Sequence, residues 1–143
     1  MQLKEVMTRG VEVVRPNTGL KQAAEKMKDL DIGALPVSDG KSLIGMLTDR
    51  DITVRAVAEG RDPLTTEVQD VMTTDVVYCF EDQDVKEAAQ IMADRQIRRL
   101  PIIDRDQRLV GIVSLGDLAV DISDDSVASD ALKGISEPAK PKR

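Results

Sequence analysis

Two short segments carry side chains able to do chemistry at a matched spacing. Gly45-Met46-Leu47-Thr48-Asp49-Arg50-Asp51 and Gly111-Ile112-Val113-Ser114-Leu115-Gly116-Asp117 each place a hydroxyl three residues before a carboxylate. A carboxylate accepts hydrogen bonds at two oxygens, so Asp51 or Asp117 can take both hydrogens of a ribose cis-diol. The hydroxyl of Thr48 or Ser114 can bind a ribose oxygen or a phosphate, helped by the positive end of a helix. The same pattern is that of the capping box, in which hydroxyl and acid bond each other's backbone N–H. Capping needs no ligand, and one hydroxyl can serve both roles. The spacing alone leaves the two readings open.

Basic residues suited to an anion lie nearby in the sequence. Arg98 and Arg99 stand just before Leu100-Pro101. Successive side chains at the start of a strand diverge, so at least one can face a cleft, and guanidinium suits phosphate. Arg50 and Arg55 lie on the helix that Thr48 begins, within reach of a phosphate tail or a second subunit. Exposed helical charge explains them equally well.

The catalytic repertoire is thin. The chain has no His, no Cys/His metal cluster, no GxSxG and no phosphate-binding GxxxxGK[ST] loop. Its acids are scattered over helix faces. The reading is a non-catalytic binding protein with no metal site. A net charge of −6 disfavours nucleic acid or an anionic membrane as partner, since each needs a basic face. It leaves room for an anionic small ligand, which needs only a few local cations. The single cysteine, Cys79, lies in an apolar run and reads as a small buried hydrophobe. One thiol makes no internal disulfide, which fits a reducing cytoplasm. No apolar stretch approaches the roughly 20 residues of a membrane span. The first residues, Met1-Gln2-Leu3-Lys4-Glu5, do not resemble a secretory signal. The expected localisation is cytoplasmic.

The elements that must hold these residues come as a duplication. Shifted by 65 residues, Val6-Met7-Thr8 falls on Val71-Met72-Thr73, Val11 on Val76, Ala23-Ala24 on Ala88-Ala89 and Leu35-Pro36 on Leu100-Pro101. After an insertion near Asp106 the shift becomes 66, and Leu43, Gly45, Asp51 and Val54 fall on Leu109, Gly111, Asp117 and Val120. The 17 identities between positions 6 and 54 far exceed chance agreement and follow the apolar positions. Each copy reads as β-α-β-β-α. An extended run (Val11–Val14 or Val76–Phe80) precedes a helix with Leu20, Ala23, Ala24, Met27 and Leu30, or Val85, Ala88, Ala89 and Met92, on one face. Asn17 or Thr18, and Asp82 or Asp84, are placed to cap those helices. Strands follow at Leu35–Ser38 and Leu43–Leu47, or Leu100–Ile103 and Leu109–Val113. A last helix spans Asp49–Ala58, or Leu115–Ile122. Beyond it, Val127, Ala128, Ala131, Leu132 and Ile135 line a further helix. The expected organisation is 1–60, 61–122, a C-terminal helix over 123–136 and a disordered, Pro- and Lys-rich tail over 137–143. Gly60-Arg61-Asp62-Pro63 marks the boundary between the repeats.

The segments VMTRGVEVV, DIGALPVSDGKSLIGMLTDRDI, VMTTDVVYC and QIRRLPIIDRDQRLVGIVSLGDL resemble the CBS domain, named after cystathionine β-synthase, in order, spacing and both copies. The likeness covers about residues 1–122, and it is especially close for small stand-alone bacterial proteins with two such domains. It implies an α/β (α+β) fold of two repeats packed sheet to sheet about a pseudo-two-fold. It implies an adenine nucleotide (AMP, ADP, ATP or NAD) as regulatory ligand in clefts between the repeats, with S-adenosylmethionine a further candidate. By resemblance, Thr48, Asp51, Ser114 and Asp117 contact ribose and phosphate. Arg98 and Arg99 meet phosphate, and Thr8, Val11, Thr73 and Val76 line the adenine; Arg50 joins the phosphate candidates from its place on the helix that Thr48 begins. The resemblance further implies a homodimer that signals in trans to a protein partner. The competing reading is a dimeric scaffold with empty clefts, in which the Ser/Thr-x-x-Asp motifs serve only as caps. At the arginine pair the first repeat has Gly33-Ala34 instead, so the repeats differ where charge matters.

Overall fold

The computed structural model describes residues 1–121 and 125–137. Helices and small sheets mix in an α+β fold. In the first repeat, α1 (Leu20–Leu30) buries Leu20, Ala23 and Met27 and ends at Asp31 in the left-handed conformation. Strands β1 (Ala34–Ser38) and β2 (Leu43–Thr48) form an antiparallel hairpin. Asp39 shapes its turn by accepting from the Lys41 and Ser42 amides at 2.9 and 2.8 Å. Next come α2 (Asp49–Asp51), a wider π-helical continuation over Ile52–Val57, and the short α3 (Val68–Val71).

The second repeat restates this order. It has β3 (Cys79–Phe80), α4 (Val85–Arg95), β4 (Arg99–Ile103), β5 (Leu109–Ser114) and α5 (Leu115–Asp121), and α6 (Asp125–Ser136) follows. The extended runs expected before each helix are shorter than their composition suggests. In the first repeat only Val14 pairs, in parallel with Val37. In the second, β3 pairs in parallel with β4 through Cys79 opposite Ile102 and Phe80 opposite Ile103. Val14 and Cys79 are equivalent under the 65-residue shift, so the repeats keep the same parallel contact.

One expected cap is replaced. Asp84 caps α4, accepting from the Lys86 amide at 2.8 Å. Neither Asn17 nor Thr18 caps α1, which starts from Gly19 without a side-chain cap. Thr18 turns back to accept from the Arg15 amide at 3.0 Å. The free N–H groups of Leu20 and Lys21 instead find the carbonyls of Thr66 and Pro63, at 2.9 and 3.2 Å. The connector thus satisfies the helix start, and no side chain is needed there. Asp82, the other candidate at α4, forms a two-pronged ion pair with Arg105.

The chain gathers into two compact units that exchange the leading turns of the repeats, the short segments around Val6-Met7-Thr8 and Val71-Met72-Thr73. One, here the Asp51 unit, comprises Glu12–Val76 and Gln107–Leu109. The other, the Asp117 unit, comprises the described residues of Met1–Val11, Val77–Asp106 and Val110–Arg143. The Asp51 unit closes over Leu20, Leu35, Val37, Leu47, Val68 and Val71. The Asp117 unit closes over Leu3, Cys79, Met92, Leu100, Ile102, Val113 and Leu118. Burial pushes the Cys79 thiol up to about 11, and the charge of Glu87 adds to the effect. It therefore stays a neutral core residue.

Helix α6 packs across α4 in the Asp117 unit, with Gly134 seated against Ala93. Ala131 is buried and Ile135 lies on the core, but Leu132 is exposed, on the far side of the helix from that contact. The Val127 and Ala128 side chains, and the tail beyond Glu137, lie outside the described residues.

Candidate functional site

Each unit assembles one Ser/Thr-x-x-Asp segment with a leading turn that the sequence places in the other repeat. In the Asp51 unit, Thr73 pairs antiparallel with Met46 of β2 through bonds of 2.8 and 2.9 Å. In the Asp117 unit, Thr8 pairs in the same way with Ile112 of β5, at 2.8 and 3.0 Å. Glycines permit both approaches. A Cβ on Gly45 would lie 2.7 Å from Met72 Sδ and 3.0 Å from the Thr73 carbonyl. A Cβ on Gly111 would lie 2.6 Å from Met7 Sδ and 2.9 Å from the Thr8 carbonyl. The mid-strand glycine, present in both copies with a Met-Thr pair upstream, was the sequence signal for this contact, and periodicity alone passes over it.

Both capping boxes form. Thr48 Oγ1 accepts from the Asp51 amide at 3.0 Å, and Asp51 Oδ2 accepts from the Thr48 amide at 3.0 Å. Ser114 Oγ accepts from the Asp117 amide at 3.1 Å, and Asp117 Oδ2 from the Ser114 amide at 2.9 Å. The carboxylates then differ. Asp51 is only 8% exposed. Its Oδ1 and Oδ2 lie 3.3 and 3.4 Å from the Thr73 hydroxyl, which donates to them, and Arg55 Nε stands 3.8 Å from Oδ1. Arg55 also donates to the Met72 carbonyl at 3.2 Å. Its exposed side chain therefore folds back across one helical turn to Asp51. Asp117 is half-buried. Among the described residues, the Ser114 amide is the one donor that reaches its carboxylate. Asp121 stands where the first repeat has Arg55.

The other candidates are placed as follows. Arg98 and Arg99 are exposed, and the Arg98 carbonyl accepts from the Leu115 amide at 2.8 Å, next to Ser114. Arg50 is exposed beside Asp49. Thr8 is exposed, while Val11, Thr73 and Val76 are half-buried. The geometry therefore brings Thr48, Asp51, Thr73 and Arg55 together in one unit, and Ser114, Asp117 and the backbones of Thr8 and Arg98 in the other. A hollow of about 700 Å3 between α4 and α6, lined by Lys86, Gln90, Asp94, Asp130 and Lys133 among others, shares no residue with either group.

The CBS domain model matches residues 3–57 and 68–124, which is most of the chain. The chain belongs to the CBS-domain family. It is 47% identical over 134 residues to the CBS domain-containing protein YhcV of Bacillus subtilis, with 94% of each chain covered. It is 35% identical over 136 residues to Hypoxic response protein 1 of Mycobacterium tuberculosis, again covering 94% of each. The crystal structure of Hypoxic Response Protein I, with two coordinated zinc ions, superposes with a TM-score of 0.78 at 36% identity, over 85% of this chain and 99% of that one. The CBS domain pair of protein MJ0100, in complex with 5-methylthioadenosine and S-adenosyl-L-methionine, gives a TM-score of 0.72 at 26% identity, over 83% of this chain and 93% of that one. CBS pairs with this fold thus include one that holds adenosine compounds. Among the described residues of this CBS protein, no helix is long and apolar enough to cross a membrane.

Proposed function

We propose that this protein is a non-catalytic regulatory module that binds an adenosine-containing ligand at its two Ser/Thr-x-x-Asp sites. AMP, ADP, ATP and NAD are the leading compounds. The observation that carries the reading is the pair of carboxylates, Asp51 and Asp117, each fixed by its own capping box beside a backbone-anchored threonine. Both oxygens of such a carboxylate suit a ribose diol. The MJ0100 complexes with two adenosine compounds support the choice of ligand. In this reading the ligand shifts an equilibrium between two states of a cytoplasmic homodimer by its differential affinity, and a protein partner reads the result. Neither nucleic acid nor a membrane takes part.

A second reading has an observation in its favour. The Asp51 carboxylate is already satisfied by Thr48, Thr73 and Arg55, as a purely structural cap would be. In that case the protein is a ligand-free scaffold.

Melting temperature measured with AMP, ADP, ATP, NAD, S-adenosylmethionine and GMP separates the two. A ligand at 100 times its Kd stabilises by about 2.7 kcal/mol, roughly 5–10 °C for a chain of this size. The expected result is a shift with adenosine compounds that the Asp51→Ala/Asp117→Ala double variant loses. No shift with any compound leaves the scaffold.

A further inference from the structure

One equivalent position in the two units carries opposite charge, through a paired exchange of residues. In the Asp51 unit, the Gly33 carbonyl accepts from the Asp49 amide at 2.9 Å. The Asp49 carboxylate folds over Gly33, so that a Cβ there would lie 2.9 Å from Oδ2. Its Oδ1 accepts from the Arg50 amide at 2.8 Å, which holds it in that place. In the Asp117 unit the same backbone bond runs from Leu115 to Arg98, at 2.8 Å. Where the first repeat places an anion against bare backbone, the second places the root of an arginine, and the acid has become an apolar side chain packed on the core. Arg99 adds a second exposed cation, and among the described residues neither guanidinium is held in an ion pair.

We infer that the two sites are sorted by charge, the Asp117 site taking an adenosine compound that bears phosphate and the Asp51 site one that bears none. The inference rests on the adenosine reading given above. A ribose whose diol is held by Asp117 carries its 5′ group on the other face of the ring, from the carbon next to that diol. Arg98 is anchored through its carbonyl to the residue after Ser114, so its exposed side chain leaves the backbone beside that capping box. At the Asp51 site the Asp49 carboxylate lies over Gly33, the residue equivalent to Arg98, where its charge repels a phosphate and tolerates a neutral or cationic 5′ group. The basic residues of that unit do not reverse the sign. Arg55 is committed to Asp51 and to the Met72 carbonyl. Arg50 projects about 100° further round the helix than Asp49.

Calorimetric titration of the full chain with AMP and, separately, with adenosine tests the sorting. The wild type is expected to bind one AMP but two adenosines per chain. The isosteric variant Asp49→Asn is expected to admit a second AMP. Arg98→Ala/Arg99→Ala, at two exposed positions, is expected to weaken AMP about tenfold more than adenosine. Two AMP per wild-type chain, no second AMP with Asp49→Asn, or equal weakening of both compounds by the arginine changes overturns the sorting and leaves adenosine binding standing. Failure of the wild type to bind either compound overturns the adenosine reading itself, and the sorting with it.

Discussion

The Asp51 and Asp117 sites stand on the same backbone frame and differ in what meets the carboxylate. Both have the reciprocal cap, the threonine bridge and the glycine that lets the leading turn approach. The Asp51 carboxylate is also fastened by a hydroxyl and a guanidinium from its own unit, whereas among the described residues the second oxygen of Asp117 accepts from no donor. The frame is therefore shared architecture, and the identity of each site lies in a few side chains set around it. Duplication supplied two equal positions; Thr73 and Arg55 latch the first acid, and the exchanges at Gly33/Arg98 and Asp49/Leu115 change the charge beside the caps.

The largest expected effect tests the shared frame. Gly45→Val and Gly111→Val should each cost about 3 kcal/mol, because the added atoms meet both a methionine sulfur and a backbone carbonyl that cannot move aside. Urea unfolding measures this, and a cost at only one glycine would break the equivalence of the frames. Next, Asp51→Ala should cost about 2 kcal/mol and Asp117→Ala about 1 kcal/mol. Both lose a cap, but only the first leaves a half-buried hydroxyl, that of Thr73, without its acceptor. Equal losses in thermal melts would mean that the latch adds nothing.

Thr73→Val should then cost about 1 kcal/mol and Thr8→Val close to nothing, since only Thr73 donates to its acid. Arg55→Ala should cost about 0.5 kcal/mol, as an ion pair with one exposed partner does. That small loss should shrink further in salt. Smallest of all is the response of Cys79. With its thiol held up at about 11, a thiol reagent at pH 8 should label the folded protein far more slowly than the urea-unfolded chain.

Much of this was legible in the sequence because repetition supplies its own control. The paired VMT segments, the apolar stripes of α1 and α4, and the two Ser/Thr-x-x-Asp motifs each occur twice at one spacing. Agreement between copies separated pattern from accident. The helix starts were less legible. Asn17 and Thr18 have the right chemistry for a cap, but the carbonyls of Pro63 and Thr66, more than forty residues away, reach α1 first. Leu132 fits an apolar stripe, yet the seat of Gly134 on Ala93 turns it outward. Asp49 reads in the sequence as one more helical charge, and its place over Gly33 emerges only when β1 and α2 are brought together.

The sequence by itself determined the repeated elements, the capping boxes and the divergence of the two copies, because these depend on residues within a few positions of one another. Tertiary structure decided which leading turn joins which motif, which acid is latched and where the opposite charges fall. Those outcomes depend on backbone segments distant in sequence meeting at hydrogen-bonding distance, and local spacing carries no information about that meeting.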